Sequence, residues 1–220
     1  MIERLVEGHV AVVEMRRDTS APIPFAAEED VVARACPRRR REFATGRACA
    51  RRALIDLGLA PVAIPKGSKG EPIWPRGVVG SITHCRGLRA AAVARSAAVA
   101  SLGIDAEPNA PLPRGVFERV AHGGERELAG TAELGRGEPV HLDRLLFSAK
   151  ESVYKAWFQL RPRWLGFEDV VVSIDPEQQA FRGRLRVPGP RLEGGRLEEL
   201  HGRWSVEGGV LASAVVIPRA

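Results

Sequence analysis

The sequence predicts an α+β fold. Residues 38–57 and 147–160 show the apolar spacing of amphipathic helices, whereas the C-terminal third is composed of short strand-like segments. Strands and helices do not alternate regularly along the chain, which argues against a doubly wound parallel sheet.

The elements can be assigned in order along the chain. A first strand is predicted at residues 10–15, and a short helix at 28–35. The longer helix of residues 38–57 places Phe43, Ala50 and Leu54 on one face, with a row of arginines beside it. Further strands are predicted at 78–82, 90–93, 101–104, 170–174 and 181–187, a weak helix at 119–134, and a hairpin at 203–217 turning at Gly208-Gly209.

Composition excludes several classes of protein. The chain has 220 residues, of which 45% are hydrophobic and 27% charged, as in ordinary globular domains. Three cysteines without metal-ligand spacing argue against a disulfide framework or structural zinc. No apolar stretch is long enough to cross a membrane, so a cytoplasmic protein is expected. The net charge of +6, concentrated in the first hundred residues, indicates a polyanionic partner.

Two carboxylates stand at the end of a predicted strand. Asp105 and Glu107 are two positions apart, so in an extended chain their side chains point to the same side. Adjacent carboxylates repel each other unless a cation lies between them, and Mg²⁺ accepts such oxygen ligands together with phosphates. The pair indicates either a divalent-metal site or a polar strand end that faces water.

The predicted helix at 147–160 groups three charged side chains. Ser148 with Glu151 matches a capping box, and Glu151 with Lys155 matches an i, i+4 ion pair, so structural roles are available. The alternative is phosphoryl chemistry, in which Glu151 joins a metal while Lys150 and Lys155 meet phosphates.

A polar segment follows the predicted strand at 78–82. Thr83 and His84 offer a hydroxyl and an imidazole that could both reach a phosphate. Cys85 faces the opposite way on a strand, so we expect a small buried residue rather than a partner of His84. The chain lacks both the GxSxG nucleophile elbow and the GxxxxGK[ST] phosphate loop, which argues against a serine hydrolase and a P-loop enzyme.

A glycine-containing loop at residues 66–75 carries two of the chain's four lysines. Lys66 and Lys69, together with backbone donors near Gly67 and Gly70, suit an anionic ligand. The loop could equally be an ordinary surface loop.

The ordered set of motifs is more specific than any one of them. In chain order the motifs are EFATGRACARRAL, KGSKGEPIWP, GSITHCRG, GIDAEP, FSAKESVYKAW and RWLGFEDV. This set resembles the 4′-phosphopantetheinyl transferases of the surfactin-synthetase-activating (Sfp) type, and most of all the branch of enterobactin synthetase component D. The resemblance runs from residue 38 to residue 172.

The resemblance implies both an activity and a fold. The family transfers 4′-phosphopantetheine from coenzyme A to a serine of acyl or peptidyl carrier proteins, as in siderophore, polyketide and nonribosomal peptide synthases, and releases 3′,5′-ADP. It implies a pseudo-two-fold pair of similar α+β halves, here residues 1–103 and 104–220, with the active site in the cleft between them. We therefore expect a monomer that uses Mg²⁺, or Mn²⁺, and has no nucleic-acid or membrane partner.

The resemblance also assigns roles to residues. The metal ligands would be Asp105, Glu107 and Glu151, and the catalytic residues Glu151, Lys155 and His84. The residues expected to bind coenzyme A are Arg39, Arg47, Lys66, Lys69, Glu71, Pro72, Thr83, His84, Asp105, Lys150 and Lys155. Among these, Arg39 and Arg47 would meet the 3′-phosphate, and residues 66–72 the adenosine end.

Two other functions stay open at this point. A metal-dependent phosphohydrolase of coenzyme A or nucleotides would use the same carboxylates and lysines, with water as the nucleophile. It would release 3′,5′-ADP without a carrier protein. A nucleic-acid-binding protein would fit the pI of about 9.9, but the aromatic content of 5% and the absence of a helix-turn-helix, zinc or RNA-binding motif argue against it.

Overall fold

Two antiparallel sheets and two long helices form the body of the protein. The computed structural model describes residues 1–6, 8–20, 23, 25–113, 115–132 and 138–219. The strands are β1 (Val10–Met15), β2 (Val78–Cys85), β3 (Leu88–Arg95), β4 (Val99–Pro108), β5 (Thr131–Ala132), β6 (Val140–His141), β7 (Val170–Asp175), β8 (Ala180–Leu185), β9 (Arg191–Leu192), β10 (Gly195–Arg196), β11 (Glu199–Glu207) and β12 (Val210–Pro218). The α-helices are α1 (Ala26–Glu29), α2 (Pro37–Asp56), α3 (Phe117–Val120) and α4 (Leu142–Leu160), and 3₁₀ helices cover Ile2–Leu5, Asp30–Val32, Gly123–Leu128 and Phe167–Asp169. The predicted α+β class is confirmed.

The N-terminal sheet has the strand order β1-β3-β2. Helix α2 packs on this sheet because its apolar face, with Ala50 and Leu54 fully buried, meets Ala91 and Val93 of β3. The arginines beside that face form structural contacts. The Arg51 guanidinium binds both carboxylate oxygens of the buried Glu28, at 2.6 and 2.7 Å.

The C-terminal sheet has the strand order β4-β12-β11-β8-β7. Helix α4 lies across it and buries Val153, Ala156 and Trp157 in the core. The helix approaches β4 very closely at Gly103, where an added Cβ would lie 2.0 Å from the Ser152 carbonyl oxygen. The absence of a side chain at position 103 therefore sets the distance between α4 and β4.

The two sheets meet where β2 runs beside β4. No backbone ladder joins these strands. Instead, alternate hydroxyls of β2 accept hydrogen bonds from β4 amides, Ser81 Oγ from Ile104 N at 3.1 Å and Thr83 Oγ1 from Ala106 N at 3.0 Å. Further along, the Gln159 side chain of α4 accepts from Gly80 N at 3.2 Å and donates to the Leu102 carbonyl. These side chains fix the N-terminal sheet against β4 and α4.

Three local predictions were wrong. The helix expected at 119–134 is replaced by α3, a 3₁₀ helix and β5, and its last two residues lie outside the described part of the chain. The second helix of the sequence pattern begins at Leu142, so Ser148 is an interior residue and not a cap. Its hydroxyl is 2.8 Å from that of Ser213 on β12. The helix expected at 28–35 begins earlier and becomes a 3₁₀ helix after Glu29.

None of the helices within the described ranges is both long enough and apolar enough to cross a membrane.

Candidate active site

A cleft opens at the junction of the two sheets. It encloses about 530 Å³ and lies between the loop at 69–72, the first part of β2 and one face of α4. The face of α4 opposite its buried core supplies Glu151, Tyr154, Lys155, Phe158 and Gln159, as helical spacing requires. Residues of the KGSKGEPIWP, GSITHCRG and FSAKESVYKAW motifs, which lie in both parts of the chain, therefore line one cleft.

Asp105 is the buried carboxylate of the site. It points from β4 toward α4, where Lys155 Nζ donates to its Oδ1 at 2.7 Å and to the Ile104 carbonyl at 3.0 Å. Its second oxygen, Oδ2, is buried and finds no hydrogen-bond partner in the described part of the chain. A buried carboxylate oxygen without a partner is costly unless a cation or another donor reaches it.

Glu107 lies at the end of the same strand, beside an arginine. Arg144 Nη1 of α4 donates to Glu107 Oε2 at 2.9 Å. Burial, and next the negative charge of Asp105, raise the pKa of Glu107 to about 7, although Arg144 opposes the shift. The carboxylate is thus in an environment that favours a further positive charge.

Glu151 faces the cleft one turn before Lys155. Burial raises its pKa, and the Asp105 charge adds to the increase while Lys155 opposes it. The i, i+4 ion pair between Glu151 and Lys155 is not among the ion pairs of the described residues, since Lys155 binds Asp105 instead. No group of three or more acidic, histidine or cysteine side chains within the described ranges is arranged to hold a metal ion as it stands.

His84 and Arg39 meet at the rim of the site. The Arg39 guanidinium donates to His84 Nε2, which requires the neutral imidazole with its proton on Nδ1. Partial loss of solvent, followed by the positive charge of Arg39, lowers the pKa of His84. Thr83 is buried behind them, with its hydroxyl engaged by β4.

Cys85 is half-buried, and its thiol donates to the Arg86 carbonyl at 3.5 Å. Burial, with the nearby charges of Glu107 and Asp105, raises the pKa of its thiol to about 12. A thiol that stays protonated is a poor nucleophile.

The loop at 66–72 closes on itself beside the cleft. Lys66 pairs with Pro72 in an isolated antiparallel bridge, and Gly67 N donates to the Glu71 carbonyl at 2.8 Å. The Glu71 side chain accepts from Lys69 N at 2.9 Å. Lys69, Glu71 and Pro72 line the cleft, whereas Lys66 is exposed at the base of the loop.

Two residues expected to bind coenzyme A, Arg47 and Lys150, form hydrogen bonds to other groups of the protein. Arg47 is buried, stacks on Phe43 and donates from Nε to the Ile64 carbonyl at 2.8 Å, where burial lowers its pKa to about 10. It thus supports the chain that leads into the loop at 66–72. Lys150 is only 1% exposed, because its ammonium is engaged within the protein, and its contact with coenzyme A stays a prediction.

Lys150 forms a buried ion pair. Its ammonium donates to Glu125 Oε2 at 2.7 Å and to the carbonyls of Val120 and Phe167. Glu125 also accepts from the amides of His122 and Val172. The pair joins α4 to the 3₁₀ helices at Gly123–Leu128 and Phe167–Asp169.

Sequence reasoning missed several residues of the site. Tyr154, Phe158, Gln159 and Trp74 line the cleft. The three on α4 share the helix face of Glu151 and Lys155, so helical spacing could have identified them. Arg144 had no such signal, because its contact with Glu107 spans 37 residues of sequence.

Comparison with known proteins shows which family the chain belongs to. The family described as the 4′-phosphopantetheinyl transferase N-terminal domain matches residues 27–94, and the 4′-phosphopantetheinyl transferase superfamily matches residues 101–200. The chain belongs to the 4′-phosphopantetheinyl transferases. The resemblance predicted from the ordered motifs is thereby confirmed.

Individual relatives agree with this assignment. The transferase is 52% identical over 201 residues to 4′-phosphopantetheinyl transferase Svp of Streptomyces mobaraensis, covering 91% of this chain and 81% of that protein. It is 45% identical over 214 residues to PptT of Mycobacterium tuberculosis, covering 94% and 92% respectively. Enterobactin synthase component D of Salmonella typhi is 33% identical over 139 residues, 62% of this chain and 55% of that protein. The enterobactin branch is therefore a more distant relative than Svp and PptT.

Proposed function

We propose that the transferase moves the 4′-phosphopantetheine group of coenzyme A to a serine of an acyl or peptidyl carrier protein and releases 3′,5′-ADP. The observation that supports this most is that Glu151 and Lys155 line the cleft while Lys155 binds Asp105 at 2.7 Å. Glu107 and Glu151 both lie within electrostatic reach of Asp105, and His84 lies within reach of Lys155 and Arg39. Carboxylates for a cation and cations for phosphates are the groups that phosphoryl transfer requires. Residues of both proposed halves, 1–103 and 104–220, line the cleft, which supports that division.

The carboxylates fit a hard divalent cation such as Mg²⁺ or Mn²⁺. Asp105 Oδ2 is buried and has no hydrogen-bond partner among the described residues. Burial, and to a lesser extent the charge of Asp105, raise the pKa of both other carboxyl groups. Oxygen ligands of this kind suit either ion. Asp105, Glu107 and Glu151 would hold the cation, which when bound supplies charge neutralisation at the pyrophosphate.

Cationic side chains around the cleft would orient coenzyme A. Lys155 stands between Asp105 and the cleft, where it can stabilise the negative charge of the departing 3′,5′-ADP. His84 and Arg39 would bind phosphate oxygens at the rim, supported from behind by Thr83. The loop with Lys66, Lys69, Glu71 and Pro72 would enclose the adenosine end, and Arg47 would fix the chain before that loop.

Glu151 is the proposed base for the carrier serine. It faces the cleft, and burial raises its pKa above the usual value of a glutamate, which makes its carboxylate a stronger base. Accepting the serine proton would increase the nucleophilicity of the hydroxyl as it attacks phosphorus.

The test is an incubation of the protein with coenzyme A, Mg²⁺ and an apo carrier domain, followed by intact mass of the carrier. We expect the mass of one phosphopantetheine to be added, and EDTA to prevent the addition. Release of 3′,5′-ADP without any carrier would favour the phosphohydrolase instead.

Glu151→Ala should reduce transfer by at least about 100-fold, since it removes both the base and a metal ligand. Glu177→Ala is the matched control, because Glu177 is exposed in the turn between β7 and β8 and should transfer at the native rate. Native activity in Glu151→Ala would contradict both roles of Glu151.

A further inference from the structure

Arg144 lies in the first turn of α4 and is the ion-pair partner of Glu107. Its side chain is 13% exposed, and Nη1 is 2.9 Å from Glu107 Oε2. The sequence motifs assign it no role, although it contacts one of the three carboxylates of the site.

The Arg144 guanidinium is held in place by backbone carbonyls. Nε donates to Ala110 O at 2.9 Å and Nη2 donates to Pro111 O at 2.7 Å. The neighbouring Asp143 accepts from Leu112 N at 2.7 Å. Because guanidinium is planar and three of its nitrogens are engaged, it cannot follow Glu107 if that carboxylate moves.

Glu107 therefore has two competing uses. With its carboxylate on Arg144, the three acidic residues do not form a group that encloses a metal ion. A cation that engages Glu107 Oε2 must replace the Arg144 hydrogen bond. The free energy of that partly buried contact then lowers the affinity of the protein for the cation.

We propose that Arg144 is a positioning residue that competes with the divalent cation for Glu107 and thereby weakens cation binding to the free protein. This inference rests on the proposed function, because it takes Asp105, Glu107 and Glu151 as the ligands. In the absence of a cation, Arg144 keeps the carboxylate paired. Since the pyrophosphate of coenzyme A brings additional oxygen ligands, cation and substrate bind best together.

The test measures Mn²⁺ binding to the free protein, without coenzyme A, from the electron paramagnetic resonance signal of free Mn²⁺. We expect Arg144→Gln to lower the Kd for Mn²⁺ by about tenfold, the order of magnitude for removing one competing charge near a divalent ion. Arg52→Gln is the matched control, since Arg52 is an exposed arginine that pairs with Asp56 on α2. It removes the same charge without touching the carboxylates and should leave the Kd within twofold.

A double-mutant cycle separates competition from general charge repulsion. In a Glu107→Gln background there is no carboxylate to release, so adding Arg144→Gln should leave the Kd nearly unchanged. A full tightening in that background would overturn the proposal. Arg144→Lys keeps the charge but loses the fork geometry, and its Kd should fall between those of the native protein and Arg144→Gln. If circular dichroism shows that Arg144→Gln is unfolded, Arg144→Lys is measured in its place.

Failure of the metal site and failure of this inference give different results. If the native protein and every variant leave millimolar Mn²⁺ free even when coenzyme A is added, the metal site is wrong and the role of Arg144 falls with it. If the native protein binds Mn²⁺ and Arg144→Gln binds it equally or more weakly, only the competition is wrong.

Discussion

At the scale of single residues, the environment of His84 determines its charge. Partial loss of solvent and the adjacent Arg39 lower its pKa, so the imidazole is neutral near pH 7 and Nε2 accepts the Arg39 hydrogen bond. Because the folded pKa lies below that of an unfolded histidine, about 6.5, the contribution of His84 to stability declines as the pH falls below that value.

We predict that Arg39→Gln raises the pKa of His84, because it removes the nearest positive charge. The pKa can be read from the pH titration of the imidazole carbon-bound protons by NMR. Arg38→Gln is the control, since Arg38 is exposed and binds Glu42 rather than His84. An equal shift in both variants would show that the direct contact does not matter.

At the scale of elements, the buried pair of Lys150 and Glu125 holds α4 to two 3₁₀ helices. Both side chains are 1% exposed. Burial lowers the pKa of Lys150, and Glu125 partly restores it. Breaking such a pair leaves an uncompensated buried charge, which costs more than the intact pair contributes.

Lys150→Met should therefore lower the free energy of unfolding by about 3–5 kcal/mol in urea titrations. The double variant with Glu125→Gln should recover part of the loss, because no buried charge is then left unpaired. Arg52→Met, at an exposed ion pair, should cost less than about 1 kcal/mol. A loss in Lys150→Met no larger than in Arg52→Met would refute the structural role of this lysine.

A second feature at the scale of elements is the close contact between α4 and β4 at Gly103. Gly103→Ala would place a methyl group against the Ser152 carbonyl and the Ala156 amide, so helix and strand must separate. Separation moves Glu151 and Lys155, on the helix, away from Asp105, on the strand.

We expect Gly103→Ala to destabilise the protein by about 3 kcal/mol and to reduce transfer more than about tenfold at a temperature where it stays folded. Gly124→Ala is the matched control, because an added Cβ there meets no atom within 4 Å. Thermal melts together with the carrier mass assay check both effects. Native activity in folded Gly103→Ala would show that the site tolerates this displacement.

At the scale of the whole molecule, the sequence predicted the elements better than the contacts between them. Apolar periodicity located α2 and the core face of α4, and alternation with glycine turns located most strands. The start of α4 was placed at residue 147, five residues late, and a capping pattern at Ser148 and Glu151 is present where the helix in fact continues.

The burial of charged residues could not be derived from local spacing. Lys150 looked like a phosphate ligand beside Glu151, yet its partner Glu125 is 25 residues earlier in the chain. Arg144 and Glu107 are likewise far apart in sequence and are joined only when α4 packs on β4. Tertiary packing decides which cations are available to a ligand.

The junction of β2 and β4 also covers two sheet edges. Each is the edge strand of its own sheet, and an edge with free amides and carbonyls is a template for pairing with other chains. Because the two edges cover each other through the Ser81 and Thr83 hydroxyls, neither offers a continuous ladder to a second molecule. If either sheet were produced without the other, it would have a bare edge, and aggregation would compete with its folding.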